Sequence, residues 1–159
     1  MDIHFRSLTP ADEPFLWDML YLAVYVPEGS PPLPREIIQA PDMARYVEGW
    51  GRAGDDGFMA LDGDKPVGAV WIRLLTGDNK GYGYVDDHTP ELSIAILPDY
   101  RGMGIGRELM DRMLAFALHV YKGVCLSVSR DNPAVRLYGS CGFTTVADDP
   151  TTLIMVTRG

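Results

Sequence analysis

The run from Ile94 to Met110, Ile-Ala-Ile-Leu-Pro-Asp-Tyr-Arg-Gly-Met-Gly-Ile-Gly-Arg-Glu-Leu-Met, leaves this chain few ways to fold. It reads as a strand, a short turn, a glycine-rich corner and a helix. The corner, Arg101-Gly102-Met103-Gly104-Ile105-Gly106, sets one cation and several unhindered backbone N–H groups at a helix start. First-turn N–H groups have no partner within a helix, and the helix dipole is positive there. The corner therefore suits a phosphate or pyrophosphate. Glycine lets the backbone turn sharply and lets a ligand approach with no Cβ in the way.

Two familiar phosphate sites do not match. A P-loop needs Gly-Lys-Ser/Thr after its spacer, and no such triplet occurs. The dinucleotide fingerprint G-x-G-x-x-G, started at Gly102 and Gly104, ends on Arg107, where helix–strand packing needs a small residue. The pattern that does fit is Arg/Gln-x-x-Gly-x-Gly/Ala, on Arg101, Gly104 and Gly106, preceded by Leu97-Pro98-Asp99-Tyr100.

A second block lies further on, from Val124 to Phe143. A short apolar strand leads to Asn132, a side chain suited to an N-cap, and Pro133 suits the first helical position. A two-turn helix follows, and Gly142 suits a left-handed C-terminal residue. The order Asn-x-x-Ala/Val-x-x-x-Tyr-x-x-x-Gly-Phe falls on Asn132, Val135 or Ala134, Tyr138, Gly142 and Phe143.

Together the two blocks resemble the GNAT superfamily of acetyl-CoA-dependent N-acetyltransferases, and the resemblance runs from Ile3 to the C-terminus. It implies an α/β (α+β) fold: a mixed, mostly antiparallel sheet with helices on both faces. Two adjacent parallel strands, at Glu91–Leu97 and Val124–Ser127, would splay apart to hold acetyl-CoA. The pyrophosphate would sit on the corner Arg101, Gly102, Met103, Gly104, Ile105, Gly106 and Arg107. Unpaired backbone groups of Ile96 and Leu97 would bond the pantetheine, and Asn132 would serve as both cap and cofactor contact. Met103, Ile105 and Leu109 read more simply as core side chains. The family often forms homodimers, so a dimer is an expectation of the resemblance.

At 159 residues the chain is long enough for one sizeable core, taken as a single domain over residues 1–159. Its start is polar and no apolar run approaches a membrane span, so no membrane association and a cytoplasmic location are expected. Cys125 and Cys141 are too few for a disulfide framework and lack metal-type spacing; Cys125 reads as strand packing. The net charge of −8 disfavours nucleic acid and favours a cationic acceptor, besides its ordinary effect on solubility. Cofactor binding then rests on local cations: Arg101, Arg107, Arg130 and Arg136.

The remaining elements follow from pattern. Ile3–Arg6 reads as a strand. Thr9 or Asp12 caps a helix from Pro10 to Leu22 with Phe15, Leu16, Met19 and Leu20 or Leu22 on one face. Four prolines between Val26 and Pro34 exclude a helix interior or central strand there. Asp42 caps a helix over 43–52. Strands at 58–61 and 67–75 flank the turn Asp62-Gly63-Asp64-Lys65, and 76–90 reads as loop. A helix over 104–120 packs Ile105, Leu109, Met113, Phe116, Ala117 and Val120 on a sheet, and Leu153–Thr157 closes as a strand.

Acetyl transfer to an amine needs a neutral amine, a stabilised oxyanion and a protonated leaving thiolate. A backbone N–H near Ile96 or Leu97 suits the oxyanion. Tyr138 stands where the resemblance puts a tyrosine that donates to the thiolate; its other reading is helix packing. Glu91 opens its strand where family members carry a glutamate base; its other reading is a strand-edge surface residue. Asp86, Asp87 and His88 read as an acidic loop or an aid to the base. Cys141 stands one turn past Tyr138, but the family mostly transfers directly in a ternary complex. The acceptor, a small-molecule or peptide amine, is not specified. Tyr21, Tyr25, Tyr46, Trp50, Tyr82 and Tyr84 can line its pocket or belong to core. A non-catalytic acyl-CoA-binding module on the same fold is the alternative reading.

Overall fold

In the computed structural model, which describes residues 1–159, seven strands form one sheet. They are β1 (Ile3–Ser7), β2 (Asp56–Asp62), β3 (Lys65–Arg73), β4 (Glu91–Ile96), β5 (Val124–Ser129), β6 (Thr144–Asp148) and β7 (Thr152–Thr157). Their order across the sheet is β1-β2-β3-β4-β5-β7-β6. Every neighbouring pair is antiparallel except β4 and β5. The helices are α1 (Glu13–Ala23), α2 (Pro41–Ala44), α3 (Ile105–Val120) and α4 (Val135–Ser140). This is the mixed, mostly antiparallel sheet that the two sequence blocks implied.

Strand β3 explains the two layers. Val67, Val70 and Ile72 face a core shared with α3, and Ala69 and Trp71 face a second core shared with α1 and the segment after α2. A strand buried on both faces reads as an unbroken apolar run, as Val67–Ile72 does. The β2–β3 hairpin closes on Asp62 paired with Lys65, and Gly63 between them takes φ +57°, where a side chain is disfavoured.

Two expected helices shift, and α3 holds its expected place but exposes two of the side chains expected in its core. Pro10–Asp12 forms a tight 3-10 turn, and α1 proper starts at Glu13. Asp12 closes that turn by accepting the Thr9 N–H at 2.7 Å. On α3 the buried stripe runs through Ile105, Leu109, Met110, Met113, Leu114 and Ala117. Phe116 falls on the flank of that stripe and Val120 in the last turn, so both are exposed, against expectation. The helix expected over 43–52 is the single turn of α2. The carbonyls of Arg45 and Glu48 are taken by the Arg73 guanidinium at 3.0 and 2.7 Å, and Tyr46 C=O by Trp71 Nε1 at 3.0 Å. Those acceptors are lost to a continuing helix, and Gly49 and Gly51 then take positive φ. Strand β6 was not expected from the sequence; all five of its residues are exposed at the sheet edge.

The arrangement that matters for function is between β4 and β5. Their ladder is one residue pair long, Glu91 with Cys125. The Cys125 N–H bonds the Pro90 carbonyl at 2.9 Å, and beyond that point the strands part.

Candidate active site

Two hydrogen bonds fix which groups face the split. The Pro90 carbonyl points to β5, whereas the Leu97 N–H points to β3 and bonds Val67 C=O at 2.8 Å. Backbone polar groups alternate along a strand, so those of Ile94 and Ile96 face the opening. This corrects the expectation for Leu97, whose N–H is committed to the sheet. The Ile96 carbonyl accepts Arg101 Nε at 3.2 Å, which seats that guanidinium beside the mouth of the split.

The split ends at the glycine corner. Six consecutive N–H groups, Gly102 through Arg107, have no hydrogen-bond partner within the protein. Gly102 and Gly104 take φ +75° and +82°, and a Cβ on either would point into open space. Only glycine holds this conformation readily, and the same turn bares the N–H row. At Gly106 a Cβ would make ordinary contacts with Leu137 and Ile96, at 3.6 and 3.9 Å, so alanine fits there. Ile105 and Leu109 are buried as expected, but Met103 is half exposed and belongs to the corner's surface rather than the core. Arg107 is tied to Ser140 Oγ at 2.8 Å and to Asp111, and Arg130 to Asp148 and Asp149. Arg101 is therefore the cation best placed for the corner.

A cavity of about 720 Å³ lies over the split. Ile96, Arg101, Gly106 and Asn132 line it together with the proline-rich residues 26–30, 32 and 33. Tyr21 Oη donates to Leu33 C=O at 2.6 Å and pins the far end of that segment. Asn132 Oδ1 accepts the Ala134 N–H at 2.9 Å, so the expected cap is made one turn ahead of α4.

A second cavity, of about 250 Å³, holds Tyr138, Glu91 and Tyr46 on its wall. Tyr138 is 9 % exposed and its ring packs edge-on against Phe143, with centroids 6.2 Å apart. Its hydroxyl makes no hydrogen bond to protein. Burial, with Cys141 nearby, pushes its pKa up to about 12, so the phenol keeps its proton at neutral pH.

Glu91 is 5 % exposed and is not a surface residue. Tyr46 Oη donates to its Oε2 at 2.6 Å and itself accepts the Tyr82 N–H at 2.7 Å. The other oxygen, Oε1, is buried without a hydrogen-bond partner. Burial raises the Glu91 pKa to about 7, held back by the Tyr46 hydroxyl and, more weakly, by the nearby Gly83 N–H, which lies outside hydrogen-bond geometry, and by Arg45. A carboxyl poised there exchanges protons readily at neutral pH. The turn Gly81-Tyr82-Gly83 lies directly on it. A Cβ at Gly81 would stand 2.2 Å from Oε1, and one at Gly83 would stand 2.9 Å from the Ser127 N of β5. The sequence had placed Tyr46 and Tyr82 among residues that can line a pocket, and both do; it gave no sign of the Tyr46–Glu91 bond or of this turn, for which the Gly-x-Gly spacing of residues 81–83 was the available signal.

Other candidates lie elsewhere. Asp86 Oδ1 accepts the His88 N–H and the Thr89 hydroxyl, and Asp87 accepts Tyr84 Oη, so the acidic loop folds on itself outside both cavities. Cys141 faces a third cavity near the C-terminus. Cys125 is fully buried, with its thiol pKa raised by burial and by Glu91. No cluster of His, Cys, Asp and Glu could hold a metal ion, and no helix is long and apolar enough to cross a membrane.

A strand pair opened after one residue ends on a row of free N–H groups at a helix start, an arrangement that can admit a long ligand with an anionic end. The family model described as "Acetyltransferase (GNAT) family" matches residues 18–143, and the chain belongs to that family. A mycothiol acetyltransferase of Geodermatophilus obscurus is 36% identical over 94 residues, 58% of this chain; the chain spans about 30% of that relative's length. The structure of a PaiA N-acetyltransferase from Thermoplasma acidophilum in complex with coenzyme A superposes with a TM-score of 0.68. It shares 16% identity and the match covers 100% of both chains. YncA of Salmonella typhimurium, a putative acetyltransferase with its cofactor acetyl-CoA, gives 0.70 at 18% identity over 99% of this chain and 94% of that one.

Proposed function

We propose that this chain is an N-acetyltransferase that moves the acetyl group of acetyl-CoA onto a primary amine within a ternary complex. The observation that carries the reading is the parting of β4 from β5 after Glu91–Cys125, which ends on the six unpaired N–H groups of residues 102–107. That site fits coenzyme A. The N–H row and Arg101 would take its pyrophosphate, open space at Gly102 and Gly104 admits it, and Ile94 and Ile96 would bond the pantetheine amides. Acetyl-CoA supplies an activated thioester acyl group.

The chain's own residues do the rest. Glu91, half ionised near neutral pH, takes the proton that an ammonium must lose before it can attack. Tyr46 holds that carboxylate in place. Tyr138 keeps its proton and has no partner for its hydroxyl, which suits it to donate to the departing sulfur. A backbone N–H of Ile94 or Ile96 serves the oxygen on which negative charge grows. The relatives named above are acetyltransferases, and two were solved with coenzyme A or acetyl-CoA.

The test is thermal unfolding with acetyl-CoA, followed by thiol release with an amine. Ligand at about 100 times Kd adds roughly 2.7 kcal/mol, a rise of roughly 5–11 °C in Tm. A rise lost in Arg101→Ala and absent with ATP supports the reading; no rise at millimolar acetyl-CoA overturns it. A rise without turnover on any amine points instead to a non-catalytic acyl-CoA-binding module.

A further inference from the structure

The amine site has a chemistry of its own. The cavity of about 250 Å³ carries Glu91 as its only residue with a formal charge; no Lys, Arg, His or Asp lines it. Leu20, Ala23, Val24, Tyr25 and Met43 give it apolar and aromatic lining, and Tyr138 lines it as well. Glu91 brings a buried oxygen that no protein group satisfies. Ser93, Ile94 and Leu126–Ser129 also line the cavity, so part of that space flanks the split strands. The proline-rich residues 26–33 wall the larger cavity and add no charge to this one.

We propose that the acceptor is a small primary amine with an aromatic or aliphatic body and no second charged group. Its ammonium would answer the one carboxylate, directly or through the Tyr46 hydroxyl, and its body would lie on Ala23, Tyr25 and Met43. Tyr46 Oη already accepts the Tyr82 N–H and donates to Glu91, and it has one lone pair left. A proton taken from the ammonium there lets Tyr46 pass its own proton to Glu91 Oε2, so no charge is created or lost. A second ammonium or a carboxylate on the acceptor would be buried with no counter-charge, which strongly disfavours it. This inference rests on the acetyltransferase reading and narrows it.

The experiment compares matched amines at saturating acetyl-CoA: 2-phenylethylamine, phenylalanine, which adds a carboxylate, 1,4-diaminobutane, which adds an ammonium, and a short lysine peptide. Acetyl-CoA binding is recorded separately by thermal shift. The expected kcat/KM for 2-phenylethylamine exceeds each of the others by about 100-fold. Ala23→Asp should narrow the gap to the diamine by about tenfold, since it adds the missing carboxylate at a half-buried helix end. A preference for the diamine, the amino acid or the peptide overturns the inference and leaves the acetyltransferase reading standing. So does binding of acetyl-CoA with no turnover of 2-phenylethylamine. Failure to bind acetyl-CoA overturns both.

Discussion

Tyr46 and Glu91, 45 residues apart in sequence, are joined by a 2.6 Å hydrogen bond from Tyr46 Oη to Glu91 Oε2. The bond draws together the turn after α2, the start of β4 and, through the Tyr82 N–H, the loop that covers them. It satisfies one carboxylate oxygen and leaves the other free. A buried acid held this way is suited to exchange protons rather than to form a permanent ion pair.

Glu91→Gln should remove the acidic limb of the rate profile. In the unaltered enzyme kcat/KM should rise through about pH 7, where the carboxyl ionises. In the variant the rise should be absent and kcat lower by roughly 100-fold or more. Stability has the opposite sign. A carboxyl whose folded pKa lies above its unfolded value favours the folded state below the unfolded pKa and loses that favour as pH rises to the folded one. The Tm of Glu91→Gln minus that of the unaltered chain should therefore grow between about pH 4.5 and 7 and then level off. A difference independent of pH would show that Glu91 titrates normally.

Tyr46→Phe should move the same limb to higher pH. The tyrosine hydrogen bond lowers the Glu91 pKa, so its loss lets burial dominate. The expected result is a rate depressed about tenfold near pH 6.5 that recovers in part above pH 8. A loss at every pH with an unchanged Tm would instead show that the Tyr46 hydroxyl itself carries the proton, and a loss with a lowered Tm would reflect a damaged fold.

Tyr138→Phe should leave acetyl-CoA affinity unchanged and lower kcat by roughly 100-fold. The ring packs on Phe143 and the hydroxyl bonds no protein atom, so the substitution removes the acid and little else. Single-turnover thiol release together with a binding titration separates the two effects. An unchanged kcat would return Tyr138 to a packing role.

Gly104→Val should abolish the acetyl-CoA-dependent rise in Tm while the chain still folds. A β-branched residue at φ +82° is strained, and relief of that strain turns the N–H row away from the ligand. The Tm without ligand should fall by only a few degrees, because the corner is exposed and nothing packs against a Cβ there.

Asp55→Asn should cost about 3–5 kcal/mol, read as a shift in the denaturation midpoint. Asp55 accepts Arg73 Nε and Nη2 at 3.1 and 2.8 Å, and both side chains are almost wholly buried. Without the carboxylate, Arg73 keeps its bonds to the Arg45 and Glu48 carbonyls but is left buried beneath Trp50 with no counter-charge.

The glycine corner, the feeding strand, the helix behind it and the Asn132–Tyr138 segment were all visible in the sequence. They depend on local chemistry: which residues tolerate positive φ, which cap a helix, and which recur at helical spacing. The same local reasoning assigned Leu97 a free N–H, because no local pattern says which neighbouring strand a backbone group faces. It also extended a helix through residues 45–52, where the competing donors Arg73 and Trp71 come from β3. By itself the sequence determined the family blocks and the glycine corner, since these are properties of short contiguous segments. Tertiary structure alone decided that Glu91 is buried, that Tyr46 and the Gly81–Gly83 turn close around it, and that one carboxylate serves an otherwise uncharged cavity. Those facts come from segments brought together across the sheet, where burial and distant hydrogen bonds set the properties of a side chain that sequence leaves undefined.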